Sequence, residues 1–195
     1  MGQYYRGVIL NNEKTEVINT LCCYAHKNGA KLMEHSWIGN RYVRAYEYLL
    51  STTFKNKPFV WCGDYADTDW YNKAVYFDND RAKEMYIRKY GKPCEEKWLD
   101  SKYSLKISSS KWKYNKYIIN YDKKEYVKLP KSNPKKWDIH PLPLLCADGN
   151  GRGGGDYNGI NQNMVGIWAY DHIGVDNEIP FGFKELKVNF KEDIY

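Results

Sequence analysis

The residues best equipped for chemistry lie in Gly149-Asn150-Gly151-Arg152-Gly153-Gly154-Gly155-Asp156, where five of the chain's 15 glycines fall within eight positions. So bare a backbone reaches positive φ and lets a ligand or another segment come close. Successive N–H groups in such a loop can cradle an anion. Arg152 is the one side chain inside the run able to hold a phosphate or carboxylate through two parallel hydrogen bonds. Asp148 and Asp156 flank it four residues away on either side, so internal pairing competes with a ligand. Arg152, Gly151, Gly153, Gly154, Asp156, Asp148 and Tyr157 form the candidate ligand-binding set. The run also contains a formal G-x-G-x-x-G at Gly149, Gly151 and Gly154, but the following Asp156-Tyr157-Asn158-Gly159-Ile160-Asn161 is a poor helix. The dinucleotide fingerprint needs a helix N-terminus at that point. A glycine-rich hairpin tip fits better.

Acid–base chemistry has three further candidates, Glu34, His35 and Asp64. Asp64 opens an acidic stretch, Asp64-Tyr65-Ala66-Asp67-Thr68-Asp69, whose spacing lacks the central glycine and terminal glutamate of a calcium loop. The four histidines make no H-E-x-x-H pair, and the five cysteines make no C-x-x-C. No metal site and no cofactor are expected. Cys146, just before the glycine run, would be a nucleophile only with a histidine beside it.

These groups need a scaffold, and 195 residues are enough for one domain with a proper core. Aromatic content is high, with 19 Tyr and 7 Trp, which suits half-buried sheet surfaces. The net charge of +6 is uneven: 12 Lys against three acids between positions 97 and 137, a local +9 that leaves −3 for the remainder. That lysine- and aromatic-rich segment has the look of an insertion; a solvated hairpin explains it more simply than nucleic-acid binding. No membrane-spanning run and no secretion signal are legible, and the odd, scattered cysteines point to a reducing, cytoplasmic setting.

Residues 4–10 and 15–20 read as a hairpin, and residues 117–129 as a second one with the same grammar of Ile, Asn, Lys and Glu. Asn40 caps a helix over 41–52, with Arg41, Arg44 and Glu47 on its polar face. Residues 58–62 form a buried strand. Residues 74–77 read as another strand, followed by a helix capped at Asp78 or Asn79 and running through Tyr90, with Met85 in its apolar stripe. Residues 142–147, 164–175 and 183–190 complete the strands. The sum is an α+β fold, mostly antiparallel sheet built from hairpins with about two helices.

Met1-Gly2-Gln3-Tyr4-Tyr5, Lys31-Leu32-Met33-Glu34, Trp61-Cys62-Gly63-Asp64-Tyr65-Ala66-Asp67, the stretch from Leu144 through Tyr157, and Val165-Gly166-Ile167-Trp168-Ala169 together resemble a family of small uncharacterised bacterial and phage proteins. The resemblance covers most of the chain except positions 78–137. It implies no activity, but it implies that the glycine loop, the acidic turn and the Met-Glu segment belong to one pattern and converge in space. The leading expectation is a ligand-binding or inhibitory protein for a nucleotide-like or other anionic molecule near residues 149–156. Given the phage resemblance, its action on a host protein is the biological form implied. Two alternatives stand beside it: a small hydrolase or nucleotide-modifying enzyme using Asp64, Glu34 or His35, and a protein–protein inhibitor with an aromatic surface.

Overall fold

The computed structural model describes residues 1–90, 117–129 and 138–192. Strands β1 (Tyr5–Leu10) and β2 (Val17–Thr20) form the first hairpin. Its turn is held by the Asn11 carboxamide, which accepts from Thr15 N at 2.8 Å and Glu16 N at 3.0 Å. Helices α1 (Leu32–His35) and α2 (Arg41–Ser51) follow, the second capped as expected by the Asn40 side chain, which accepts from Tyr42 N and Val43 N. Then come β3 (Lys57–Gly63), α3 (Trp70–Tyr90), β4 (Tyr117–Asn120), β5 (Glu125–Lys128), α4 (Pro141–Leu145), β6 (Ala147–Asp148), β7 (Gly159–Ile160), β8 (His172–Asp176), β9 (Lys184–Glu185) and β10 (Lys191–Glu192).

Among the described residues, eight strands make one sheet in the order β2-β1-β3-β8-β4-β5-β9, with β6 added alongside β3. Only the β3–β6 and β5–β9 pairings are parallel. The fold is therefore α+β and mostly antiparallel, with one hairpin on each side of the central β3–β8 pair. The second hairpin is no solvated appendage: Ile118, Ile119 and Asn120 are fully buried, and β4 lies between β8 and β5.

Burial decides how β1 and β3 read. Tyr5, Ile9, Phe59 and Trp61 pack with Tyr42, Tyr46 and Leu50 of α2, while Val8, Leu10, Val60 and Cys62 pack with Ala74 of α3. Both faces are covered, so apolar residues run on without alternation. Gly7 is where α2 comes closest. A Cβ there would lie 2.6 Å from Tyr46 Cζ, and the Tyr46 hydroxyl donates to Gly7 O at 2.6 Å.

Several expected elements take other forms. Residues 74–77 are helical, because Asp78 is not a cap but lies in the third turn of α3, begun at Trp70. Helical phase puts Ala74 and Asp78 against the sheet and leaves Tyr76 exposed. A strand would have placed Ala74 and Tyr76 on one face. The Met85 side chain lies outside the described ones. Residues 141–145 are a short helix, with Pro141 at its first position and His140 Nδ1 accepting from Leu142 N at 3.2 Å. Its side chains are all buried, which hides the periodicity. Met164 ends a 3-10 turn over Gln162–Met164, and residues 165–171 are turns and a bend with positive φ at Gly166 and Tyr170, so β8 starts only at His172. Within 183–190 only Lys184–Glu185 is strand. Glu47 belongs to the core rather than a polar face: it is buried, and its Oε1 meets His140 Nε2 at 2.9 Å.

Candidate functional site

The start of β1, the acidic turn after β3, the segment around α1 and the glycine loop all meet at one end of the sheet. Gln3 N donates to Gly154 O at 3.0 Å, and Gly154 N to Met1 O at 3.1 Å. Met33 N donates to Gly155 O at 3.1 Å. Arg152 Nη1 donates to Tyr65 O at 3.0 Å. The expected convergence of these segments is thus built from direct hydrogen bonds.

The loop is not a hairpin tip. β6 before it runs parallel to β3, β7 after it pairs with β10, and Gly154 bridges in parallel to Gly2. Asn150 closes it, accepting from Tyr157 N at 2.8 Å and donating to Tyr157 O at 3.0 Å. Tyr157 itself is buried, its hydroxyl accepting from Lys191 N at 3.0 Å, so it anchors the loop to β10.

The backbone cradle exists, and the chain fills it. Asp156 Oδ2 accepts from Gly151 N at 2.7 Å, Arg152 N at 2.9 Å and Gly153 N at 3.0 Å. A carboxylate in a three-donor nest is what that geometry favours. Tyr5 is buried beside it, and burial, followed by the neighbouring Asp156 charge, pushes the phenol far above its ordinary range.

Arg152 turns outward. Its two terminal nitrogens grip Asp67 Oδ1 and Oδ2, both at 2.5 Å, with side-chain exposures of 42% and 83%. Asp67, not Asp148 or Asp156, is its partner, and the guanidinium holds that carboxyl below the usual range. Asp148 instead takes hydrogen bonds from Thr68 Oγ1 at 3.0 Å and from the Tyr170 hydroxyl. Lys31 borders the other side of the loop: its side chain lies over Gly155 and Gly2, so a Cβ at Gly155 would stand 2.5 Å from Lys31 Cδ.

Gln3 is the residue the sequence concealed. It is fully buried, and Cβ atoms at Gly63, Gly149 and Gly153 would lie 2.1, 2.6 and 2.6 Å from its side chain. Those three glycines make room for one glutamine. A glutamine before a strand carries no such signal in the sequence. The positive φ of Gly149 and Gly151 supplies the bend around it.

The acid–base candidates have structural duties. Glu34 Oε2 accepts from Lys31 N at 2.9 Å, closing the start of α1. His35 is fully buried and accepts at Nε2 from Trp61 Nε1 at 2.7 Å, which places its hydrogen on Nδ1, 3.3 Å from Gly29 O. Burial lowers its pKa to about 4. Asp64 Oδ1 accepts from Tyr4 N at 2.9 Å while Asp64 N donates to Tyr4 O at 2.9 Å, a clasp between turn and β1. Among the described residues no hydrogen bond joins these three. Cys146 is fully buried, its thiol pushed well up by burial, with no histidine hydrogen-bonded to it.

Among the described residues no cluster of three or more His, Cys, Asp or Glu could hold a metal ion, and no helix is long and apolar enough to cross a membrane. No family model, curated protein or solved structure matches the chain.

Proposed function

We propose that this chain is a binding protein for a nucleotide-like or otherwise anionic ligand, recognised on the outer surface of the glycine loop by Arg152 with Lys31 at the opposite border. The observation carrying this reading is the exposed bidentate fork between Arg152 and Asp67. Exposed pairs of this kind contribute little to stability, and a phosphate can replace Asp67 in the same two-point geometry. The backbone N–H groups take no part, since Asp156 occupies them. Tyr4 and Tyr65, exposed on the segments that clasp each other at Asp64, offer rings for a base.

Calorimetric titration with nucleoside mono-, di- and triphosphates, repeated on Arg152→Ala, tests this. Binding that Arg152→Ala weakens at least about tenfold, one charge-assisted pair's worth, supports the reading. No binding to any member, or equal binding by the variant, overturns it.

A second reading rests on a different observation. Tyr4, Tyr24 and Tyr65 are 45, 56 and 37% exposed, and the Tyr24 phenol is raised by burial, with Tyr4 and Glu34 close by. Clustered exposed tyrosines are the kind of surface used to dock a protein, here a host protein. Cross-linking that Tyr24→Ser abolishes would favour it.

A further inference from the structure

Asp148 ends β6 immediately before the glycine loop, and no role described above uses it. Its two carboxylate oxygens have different surroundings. Oδ2 accepts from Thr68 Oγ1 at 3.0 Å and from the Tyr170 hydroxyl. Oδ1 accepts from no described residue, and Asp148 is only half-buried, so this oxygen is open to solvent. One oxygen is clamped and the other is bare.

The clamp is held against backbone strain. Tyr170 has a φ of +69°, a conformation that a bulky side chain keeps only where its surroundings over-determine it. Its N donates to Phe59 O at 2.8 Å, and its ring packs against the cluster of Val8, Leu10, Val60 and Cys62. Burial, then the hydrogen bond to Asp148, pushes the phenol far above its ordinary range, so Tyr170 stays a donor near pH 7. Thr68 is exposed, and its hydroxyl oxygen lies 2.9 Å from that of Tyr170 and 3.7 Å from Cys62 Sγ. With its hydrogen given to Asp148, Thr68 Oγ1 keeps lone pairs for a further donor. Two acceptors, Asp148 Oδ1 and Thr68 Oγ1, therefore stand next to one another. Both adjoin the Arg152 fork. Thr68 follows Asp67, whose carboxylate Arg152 grips, and consecutive Cα atoms are about 3.8 Å apart. Charge sorts what can bind where: Arg152 takes an anion, whereas Asp148, with Asp69 on the same turn as Thr68, repels one and takes an uncharged donor.

We infer that Asp148 and Thr68 receive the two hydroxyls of a ribose whose phosphate Arg152 holds, which makes the ligand a ribonucleotide. One hydroxyl donates to Asp148 Oδ1 and its neighbour to Thr68 Oγ1. A carboxylate accepting from ribose hydroxyls is a recurring way to hold that sugar. Tyr170 is a positioning residue, fixing the carboxylate through Oδ2 so that Oδ1 is left for the ligand. The inference rests on the nucleotide-like reading of the Arg152 loop and narrows it, since inorganic phosphate and dideoxynucleotides lack the hydroxyl pair.

The test titrates the native chain calorimetrically with adenosine, guanosine, cytidine and uridine 5′-triphosphates, each against its 2′,3′-dideoxy counterpart. For the base that binds best, the ribose form should bind at least about tenfold more tightly, the worth of one hydrogen bond to a charged group. Asp148→Asn should remove that preference without weakening the dideoxy form, and Tyr170→Phe should narrow it while leaving the dideoxy affinity unchanged. Equal binding of both forms by the native chain, still weakened by Arg152→Ala, overturns the sugar site and leaves the anion grip standing. Binding of neither form overturns both. A preference that survives Asp148→Asn places the hydroxyls elsewhere and overturns the assignment. The native comparison uses no variant, so a poorly folded Asp148→Asn does not spare the proposal.

Discussion

Arg152–Asp67 and His140–Glu47 both join residues far apart in the chain, one at the outer edge of the glycine loop and one between α2 and α4. The first stands in solvent. The second has side-chain exposures of 1% and 3%. In the buried pair the tautomer is set by the backbone: Leu142 N donates to His140 Nδ1, so Nε2 carries the hydrogen and donates to Glu47 Oε1. Glu47 Oε2 is buried with no hydrogen-bond partner. Losing either member leaves a polar group stranded in the core. Losing a member of the exposed pair leaves a group that water solvates at once. The same kind of contact is architecture in one place and an exchangeable grip in the other, and burial makes the difference.

The sharpest way to break this contrast is His140→Ala. It should cost about 3 kcal/mol or more of unfolding free energy by urea titration, since it strands the Glu47 carboxyl. A cost near that of an ordinary surface substitution would mean water already reaches the pair.

An intermediate effect is expected from His35, the other buried histidine. Its folded pKa of about 4 lies below the ordinary 6.5, so between those values the unfolded chain binds a proton that the folded chain refuses. Stability should therefore be unaffected above pH 6.5 and fall by roughly 3 kcal/mol as pH drops from 6.5 to 4. Urea titrations across that window should show the slope in the native chain and lose it in His35→Gln. An identical slope in both would assign the loss to other groups.

The smallest effect belongs to Arg152→Ala. Its thermal midpoint should stay within about 3 °C of the native chain even where ligand binding is lost. A drop comparable to that of His140→Ala would make the fork a structural brace and dissolve the comparison.

How much could be read beforehand follows from which interactions are local. The Asn40 cap, the two hairpin turns and β3 are specified within a few residues, and all are where the sequence placed them. The stretch at 74–77 misleads because Val75, Tyr76 and Phe77 favour strands intrinsically, while the helix is decided by Ala74 and Asp78 meeting the sheet. Residues 141–145 mislead because complete burial erases periodicity. At the candidate site, Arg152 and an aspartate partner were legible as types. That the partner is Asp67, 85 positions away, was not.

By itself, the sequence determined the α+β class, the hairpins, the glycine loop's freedom to bend and the presence of one guanidinium within it. Those properties reside in single residues and near neighbours. Only tertiary structure decided that Asp156 fills the loop's N–H cradle, that Gln3 occupies the space left by Gly63, Gly149 and Gly153, and that Glu47 and His140 meet in the core. Each of these depends on which segments the closed sheet brings side by side, and on how much water is left between them.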